Sequence, residues 1–370
     1  MRFDPRRFDR VFIDSKSAQS PLVERVRDVF SQQQIRIVEG QPWSEGKLSP
    51  AEFDRSKRHL FVTPFRGQFF KRCPGAKPGL ACCNYFVLNL GLQCDMNCSY
   101  CYLQSYINSP ILTVYSNIEQ ALAELADIQK TAGESRLRIG TGEVIDSLSL
   151  DPLTLFSRQL IPFFQNVPRW TLEFKTKSNH VDQFLDCEHA GNILVSWSLN
   201  PQQVIDAEEH GTASLDERLD AAKKCCRRGF PVAFHLDPMI WHPDWQNNYA
   251  QLVDTITERF TPEQVQVLSL GALRFQPEQR GMMRERFGLS SWVLQSEMFK
   301  SADGKMRYAQ EIRTEMFDFV LQRFSAHSRD WRIFLCMETP ETWAATHHQQ
   351  PRQMATLQPL FERITLSERQ

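Results

Sequence analysis

No run in this 370-residue chain approaches the roughly 20 consecutive apolar residues that cross a bilayer. The opening MRFDPRRFDRVF carries charges where a secretion signal needs an uninterrupted apolar core. Together these predict a cytoplasmic protein with no membrane contact. An excess of either charge is also missing: 43 Lys and Arg stand against 44 Asp and Glu, a net charge of -1. Long-range electrostatics therefore give no evidence for a nucleic-acid partner, which usually shows as a basic domain. With 42% hydrophobic and 24% charged residues, the composition is that of a globular chain able to bury a large core. Ten cysteines are present, and six of them (Cys73, Cys82, Cys83, Cys94, Cys98 and Cys101) crowd into residues 73 to 101. In a reducing compartment such crowding points to metal or redox chemistry rather than disulfides.

The first segment reads as strand (RVFID), helix (roughly Pro21 to Gln32) and strand (IRIVEG), one small α/β unit. Two polar stretches, EGQPWSEGKLSP and CPGAKPG, predict a boundary near residue 80. Strands are then expected at 85–91, 136–140, 171–176, 193–199, 231–236 and 265–273, and RIFLCME (332–338) offers one more. Amphipathic helices lie between them, at IEQALAELADIQK, PLTLFSRQLIPFF, VDQFLD, SLDERLDAAKKCCRR and WQNNYAQLVDTITERF. Asp151 before Pro152 reads as an N-cap, and Gly229 follows a basic last helical turn. The alternation predicts an α/β fold: a partial (βα)6 TIM-type barrel over residues 81–345, a small N-terminal α/β segment over 1–80 and a polar tail over 346–370.

Ligands of parallel α/β folds bind at the carboxyl ends of the strands, and the chemically notable residues fall there. Cys94, Cys98 and Cys101 form a C-x3-C-x2-C motif on the loop after the first barrel strand. A cubane cluster has four irons and normally takes four thiolates, so three cysteines leave one iron open to another ligand. A zinc site, which needs a fourth protein donor to close it, and a set of buried structural cysteines are the alternatives. GTGEVIDSLSLD (140–151) adds Gly142, where the backbone can approach a ligand closely, and Glu143, an acceptor for a cation. Lys175 and Lys177 share one face at the end of the third strand, as do Ser196, Ser198 and Asn200 at the fourth and His235 and Asp237 at the fifth. Arg274 follows the sixth. Each has a plain alternative as a solvated or hydrogen-bonded strand end. KKCCRR (223–228) reads as a helix C-terminus whose cations suit the dipole.

NLGLQCDMNCSYCYLQ, GTGEVIDSLSLD, KTKS, VSWSLN and FHLDPMIWHPDW together resemble the spore photoproduct lyase family of radical S-adenosylmethionine proteins, over residues 8 to 338. The resemblance implies a 4Fe-4S cluster on Cys94, Cys98 and Cys101 whose open iron takes S-adenosylmethionine. Reductive cleavage then yields a 5'-deoxyadenosyl radical that abstracts hydrogen from substrate, a DNA lesion in the lyases. It further implies an electron donor such as flavodoxin or ferredoxin. Glu143 would receive the cofactor's ammonium, Lys177 its carboxylate, and Gly142, Ser198, Asn200 and Asp237 would line the same site. Tyr100 matches an aromatic residue near the adenine, and Tyr100 and Tyr102 match tyrosines that pass the radical back to the cofactor. The lyases carry a hydrogen-donor cysteine just after the second barrel strand. Here Glu143 or a neighbour stands there, and no cysteine lies between Cys101 and Cys187. Cys73, Cys82 and Cys83 are open to three roles: a replacement thiol, a second metal site, or packing. Cys336 is a further candidate donor. A radical enzyme on another substrate and a non-catalytic cluster scaffold are the competing readings.

Overall fold

The computed structural model describes residues 3–43, 46, 48–73, 85–107, 109 and 111–346. Cys82, Cys83 and all but the first residue of the polar tail lie outside that range.

The larger sheet holds seven parallel strands in sequence order: Tyr85–Leu88, Arg138–Gly140, Thr171–Thr176, Ile193–Ser198, Val232–Met239, Val265–Ala272 and Ile333–Leu335. These are the first to seventh barrel strands below. The edge is extended by Phe70–Arg72, antiparallel to the first. Phe174, Val195, Trp197 and Phe234 are fully shielded because helices cover the outer face of the curled sheet. All six expected strands are present, and the apolar segment near residue 332 supplies the seventh. The fold is the expected partial barrel.

A second sheet runs in the order Ile35–Val38, Arg10–Asp14, His59–Thr63, Leu112–Tyr115 and Gly91–Leu92. Two of its strands come from beyond residue 80, while Phe70–Arg72, from before residue 80, pairs on the barrel. The polar stretches are thus connections, and the division expected at residue 80 does not separate the sheets. One continuous apolar cluster joins Val11, Val62 and Val114 of this sheet to Phe86, Leu172 and Leu268 of the barrel.

Local differences have local causes. PLTLFSRQLIPFF is two helices, Asp151–Thr154 and Phe156–Gln165, because Leu155 between them is left-handed at φ 50°. Asp151 is the first helical residue rather than the cap, and its carboxylate reaches across the break to the Ser157 amide (3.0 Å) and hydroxyl (2.5 Å). VDQFLD forms turns instead of a helix. Six residues gain too few i→i−4 bonds to offset nucleation, and the Phe184 and Cys187 amides bond three residues back. Leu215–Arg227 matches expectation: Ser214 caps it in a reciprocal box with Glu217, and Gly229, at φ 80°, ends it. Ser214→Ala is expected to lower unfolding stability by about 1 kcal/mol, with Ser214→Asp close to wild type. Urea titration of both variants checks this.

Candidate active site

The cysteine loop leaves the first barrel strand and pairs with a neighbour. Asn97–Cys98 makes an antiparallel ladder with Glu209–His210, the segment after the helix Gln202–Glu208. Two consecutive buried carboxylates grip the loop from there. Glu208 accepts the Ser99 hydroxyl, the Ser291 hydroxyl (2.8 Å) and the Trp292 amide (2.6 Å). Glu209 accepts the Tyr100 hydroxyl, the Asn200 amide (2.9 Å) and the Arg218 guanidinium (2.7 Å). On the other side Lys57 donates to the carbonyls of Cys94 (2.8 Å) and Met96 (2.6 Å), and Gln279 to those of Tyr100 (3.0 Å) and Cys101 (3.1 Å). Side chains thus satisfy carbonyls that the short Asn97–Cys98 ladder leaves over.

Cys98 is buried, while Cys94 and Cys101 are half-buried at the residue level. Burial pushes the Cys98 thiol up to about 12, with Lys177 opposing it. Burial, then Asp95 and Asp146, hold Cys94 well above the usual thiol range. Cys101 is near enough to raise both. Burial thus disfavours the thiolate at Cys94 and Cys98, and a thiolate-bound metal would take up that charge. The Met96 amide already donates to Cys94 Sγ at 3.4 Å. In a cubane each thiolate meets a different iron, whereas zinc needs its donors to meet at one atom.

Around the loop, the predicted residues divide by what they touch. Glu143 lies on the turn after the second strand with its side chain 8% exposed, 2.8 Å from Lys71 Nζ. Its carbonyl accepts the hydroxyl of Tyr102, a residue 42% exposed. A Cβ on Gly142 would stand 2.8 Å from Ser147 Oγ and 3.0 Å from the Lys175 carbonyl, so glycine lets this turn lie against the third strand. Asp146 ties the same turn down, accepting the amides of Leu148, Ser149 and Lys177 and the Thr176 hydroxyl. Lys177 Nζ stands 5.7 Å from the Tyr100 ring centroid. Ser198 is buried, and its carbonyl accepts Arg218 at 2.8 Å. Asn200 is committed within the protein: its amide nitrogen goes to Glu209 and its oxygen accepts Tyr249 at 2.9 Å. Asp237 pairs with Arg274 at 2.9 Å, and its peptide bond to Pro238 is cis.

Beneath this rim the barrel interior is polar. Arg138 pairs with Glu173 at 2.6 Å, and Glu173 also accepts Ser196 (2.7 Å) and meets His235 (3.0 Å), which reaches Ser269 at 2.5 Å. Burial pushes Glu173 up, but Arg138 and His235 outweigh it and hold it well below the carboxylate range. Burial and the nearby Lys175 lower His235 to about 4, so the ring is neutral near pH 7.

Sequence reasoning did not single out Glu208, Glu209, Arg218, Lys57, Lys71, Gln279 or Glu173. Most sit on helices or loops remote in sequence from the motifs they serve. Glu173 is the exception with a signal, a charged residue inside an otherwise apolar strand.

The second strand ends at Gly140. A Cβ there would lie 1.5 Å from the hydroxyl of Tyr85, which fills the space over this glycine. Cys73, at the end of the edge strand, is close enough to affect Tyr102, and Cys336 lies similarly near Arg274. Cys225 and Cys226 sit at the end of their helix, Cys225 fully buried.

An open parallel barrel with a three-cysteine loop after its first strand defines a radical S-adenosylmethionine enzyme of the lyase type. The family model described as spore photoproduct lyase matches residues 7–324, and the chain belongs to that family. It is 26% identical to the spore photoproduct lyase of Bacillus subtilis (strain 168) over 334 residues, 83% of this chain and 94% of that protein. With that of Geobacillus sp. (strain Y412MC61) the identity is 28% over 255 residues, 67% and 73% of the two chains. A spore photoproduct lyase mutant solved with bound AdoMet and dinucleoside spore photoproduct superposes with a TM-score of 0.76 at 24% identity, covering 88% of this chain and 98% of that one. Another, complexed with dinucleoside spore photoproduct, gives 0.76 at 23%, covering 89% and 98%. Among the described residues no helix is long and apolar enough to cross a membrane.

The low value for His235 carries a pH prediction. On unfolding the ring regains a pKa near 6.5, so between about 4 and 6.5 the unfolded chain binds one more proton. Stability should therefore fall as pH drops through that window, by up to about 1.4 kcal/mol per unit from this residue. His235→Gln should flatten that segment. Denaturant titrations at pH 7, 6 and 5 measure it, and an equal slope in the variant would remove His235 as the source.

Proposed function

We propose that this chain carries a 4Fe-4S cluster on Cys94, Cys98 and Cys101, binds S-adenosylmethionine beside it, and repairs a thymine-type lesion in DNA. The observation that supports this best is the cysteine loop itself, pinned at a strand end by Glu208 and Glu209 with Glu143 and Lys177 on the neighbouring strand ends. When bound, the cluster and S-adenosylmethionine supply a 5'-deoxyadenosyl radical that abstracts hydrogen from substrate.

The chain's own residues divide the remaining work. Glu143 offers a shielded carboxylate to the cofactor's ammonium, and Lys177 a cation to its carboxylate. Ser198 supplies a hydroxyl that is free of hydrogen bonds among the described residues. Gly142 keeps the turn low enough for the cofactor to lie over it. Asn200 acts one step back, by fixing the Glu209 carboxylate that holds Tyr100. Asp237 orients Arg274 at the rim, where the substrate enters. Tyr100 and Tyr102 are the hydrogen-atom carriers between substrate and cofactor. With Glu143 or a neighbour where the lyases carry their donor cysteine, Cys73, close enough to affect Tyr102, is the thiol that returns hydrogen to the product. A small reduced iron–sulfur or flavin protein such as ferredoxin or flavodoxin supplies the electron, which fits a cytoplasmic site of action.

Anaerobic reconstitution tests the reading. Wild type should bind about four irons and release 5'-deoxyadenosine with dithionite and S-adenosylmethionine. The variant with all three of Cys94, Cys98 and Cys101 changed to Ala should do neither. A full cluster that never cleaves the cofactor would overturn the enzymatic reading. Glu143→Gln should keep the iron and weaken cofactor binding roughly tenfold, the scale of one charge-assisted hydrogen bond. With a dinucleoside lesion as substrate, Cys73→Ala should lower product formed per 5'-deoxyadenosine at least several-fold. An unchanged ratio would move the thiol role to another cysteine.

A further inference from the structure

We infer that Lys71 is the resident counter-ion of the ammonium site, and that S-adenosylmethionine binds by displacing it from Glu143. This rests on the reading of Glu143 given above and adds a residue that no motif of the chain pointed to. Glu143 Oε2 is shielded from solvent and makes no hydrogen bond of ordinary geometry among the described residues. Its compensation is the charge of Lys71 Nζ, 2.8 Å away. An isolated buried carboxylate is costly, so a cation must stand there whether or not a ligand is bound.

The two partners differ in freedom. Glu143 is fixed: the Tyr102 hydroxyl holds its carbonyl, and Gly142 before it is packed against Ser147 and the third strand. Lys71 is mobile. Its side chain is 37% exposed, it has four rotatable carbons, and it stands on the three-residue edge strand Phe70–Arg72. It can swing into water with its charge fully solvated. An incoming ammonium and the Lys71 ammonium cannot both occupy one shielded oxygen, since like charges at that range repel. Binding is therefore an exchange of one cation for another. Lys71 keeps the empty site neutral, lowers cofactor affinity by the strength of its own pair, and selects for ligands bearing an ammonium, because others cannot evict it.

Calorimetric titration of the anaerobic, reconstituted protein with S-adenosylhomocysteine tests this. That probe carries the same ammonium and is not cleaved. 5'-Methylthioadenosine, which lacks the amino-acid end, is the control. Lys71→Met and Lys71→Gln should each bind S-adenosylhomocysteine about three- to fivefold more tightly, the scale of a half-exposed ion pair. Binding of 5'-methylthioadenosine should not change, and Lys71→Arg should resemble wild type. In a Glu143→Gln background the Lys71 substitutions should have no effect. Unchanged or weaker S-adenosylhomocysteine binding in both Lys71 variants, while Glu143→Gln still weakens it, would overturn the counter-ion role alone. So would an equal gain for 5'-methylthioadenosine. If Glu143→Gln leaves the affinity untouched, the ammonium site itself lies elsewhere and the preceding reading of Glu143 fails.

Discussion

Arg218 and Glu209 are both wholly withdrawn from solvent, and the geometry of the cysteine loop depends on their pairing. Removing two charges from water costs several kcal/mol per ion unless their remaining donors and lone pairs are used. Here they are used. Arg218 also donates to the carbonyls of Ala213 (2.9 Å) and Ser198 (2.8 Å) and to the Thr212 hydroxyl (2.7 Å), while the other Glu209 oxygen takes Tyr100 and Asn200. Burial pushes Glu209 up, but Arg218 and Lys177 bring it down to about 2, so it is an anion at any physiological pH. The pair thus ties together the fourth strand's end, the helix Leu215–Arg227 and Tyr100, one residue before the third cysteine. A hydrophobic pair of similar volume would hold the helix to the strand. It would leave Tyr100 and Asn200 with buried polar atoms unsatisfied.

The same trade recurs inside the barrel. A closed eight-stranded barrel fills its centre with branched aliphatic side chains. Seven parallel strands leave this sheet open, and its concave side carries Arg138, Glu173, Ser196, His235 and Ser269 instead. The apolar core has moved outward, between the strands and their helices, where Trp197, Phe174 and Phe234 lie. In this polar interior Glu173 links three of these groups, Arg138, Ser196 and His235. At its upper edge Lys175 and Asp237 are close enough to couple, so the charged floor continues into the rim where ligands bind.

How much of this was legible in the sequence follows from which forces are local. Strand runs, helix caps and the cysteine spacing are encoded within a few residues of where they act, so the seven parallel strands and the cysteine loop could be read directly. Whether a short apolar string closes a helix depends on tertiary packing, and VDQFLD became a set of turns. The boundary near residue 80 was read from polar composition, which marks connections but not which sheet a strand joins; Leu112–Tyr115 crossed to the smaller sheet and Phe70–Arg72 to the barrel sheet. The supporting shell of the site was invisible for a sharper reason. Glu209 and Tyr100 are 109 residues apart and Gln279 and Cys101 are 178 apart, and neither pairing leaves a periodic or motif signal.

The end of the second strand is sterically closed on one side. Tyr85 pairs with Arg138 on the adjacent strand, and its hydroxyl reaches over Gly140, so any side chain at residue 140 collides with it unless that ring moves. Cys73 follows the edge strand, its amide bonded to the Tyr85 carbonyl, and is close enough to affect Tyr102. Lys71 lies two residues before it, on the edge strand itself, and meets the Glu143 carboxylate. The edge strand, anchored on the core by Phe70 stacked against Phe86, thus carries Lys71 to Glu143 and leads the chain to Cys73 near Tyr102.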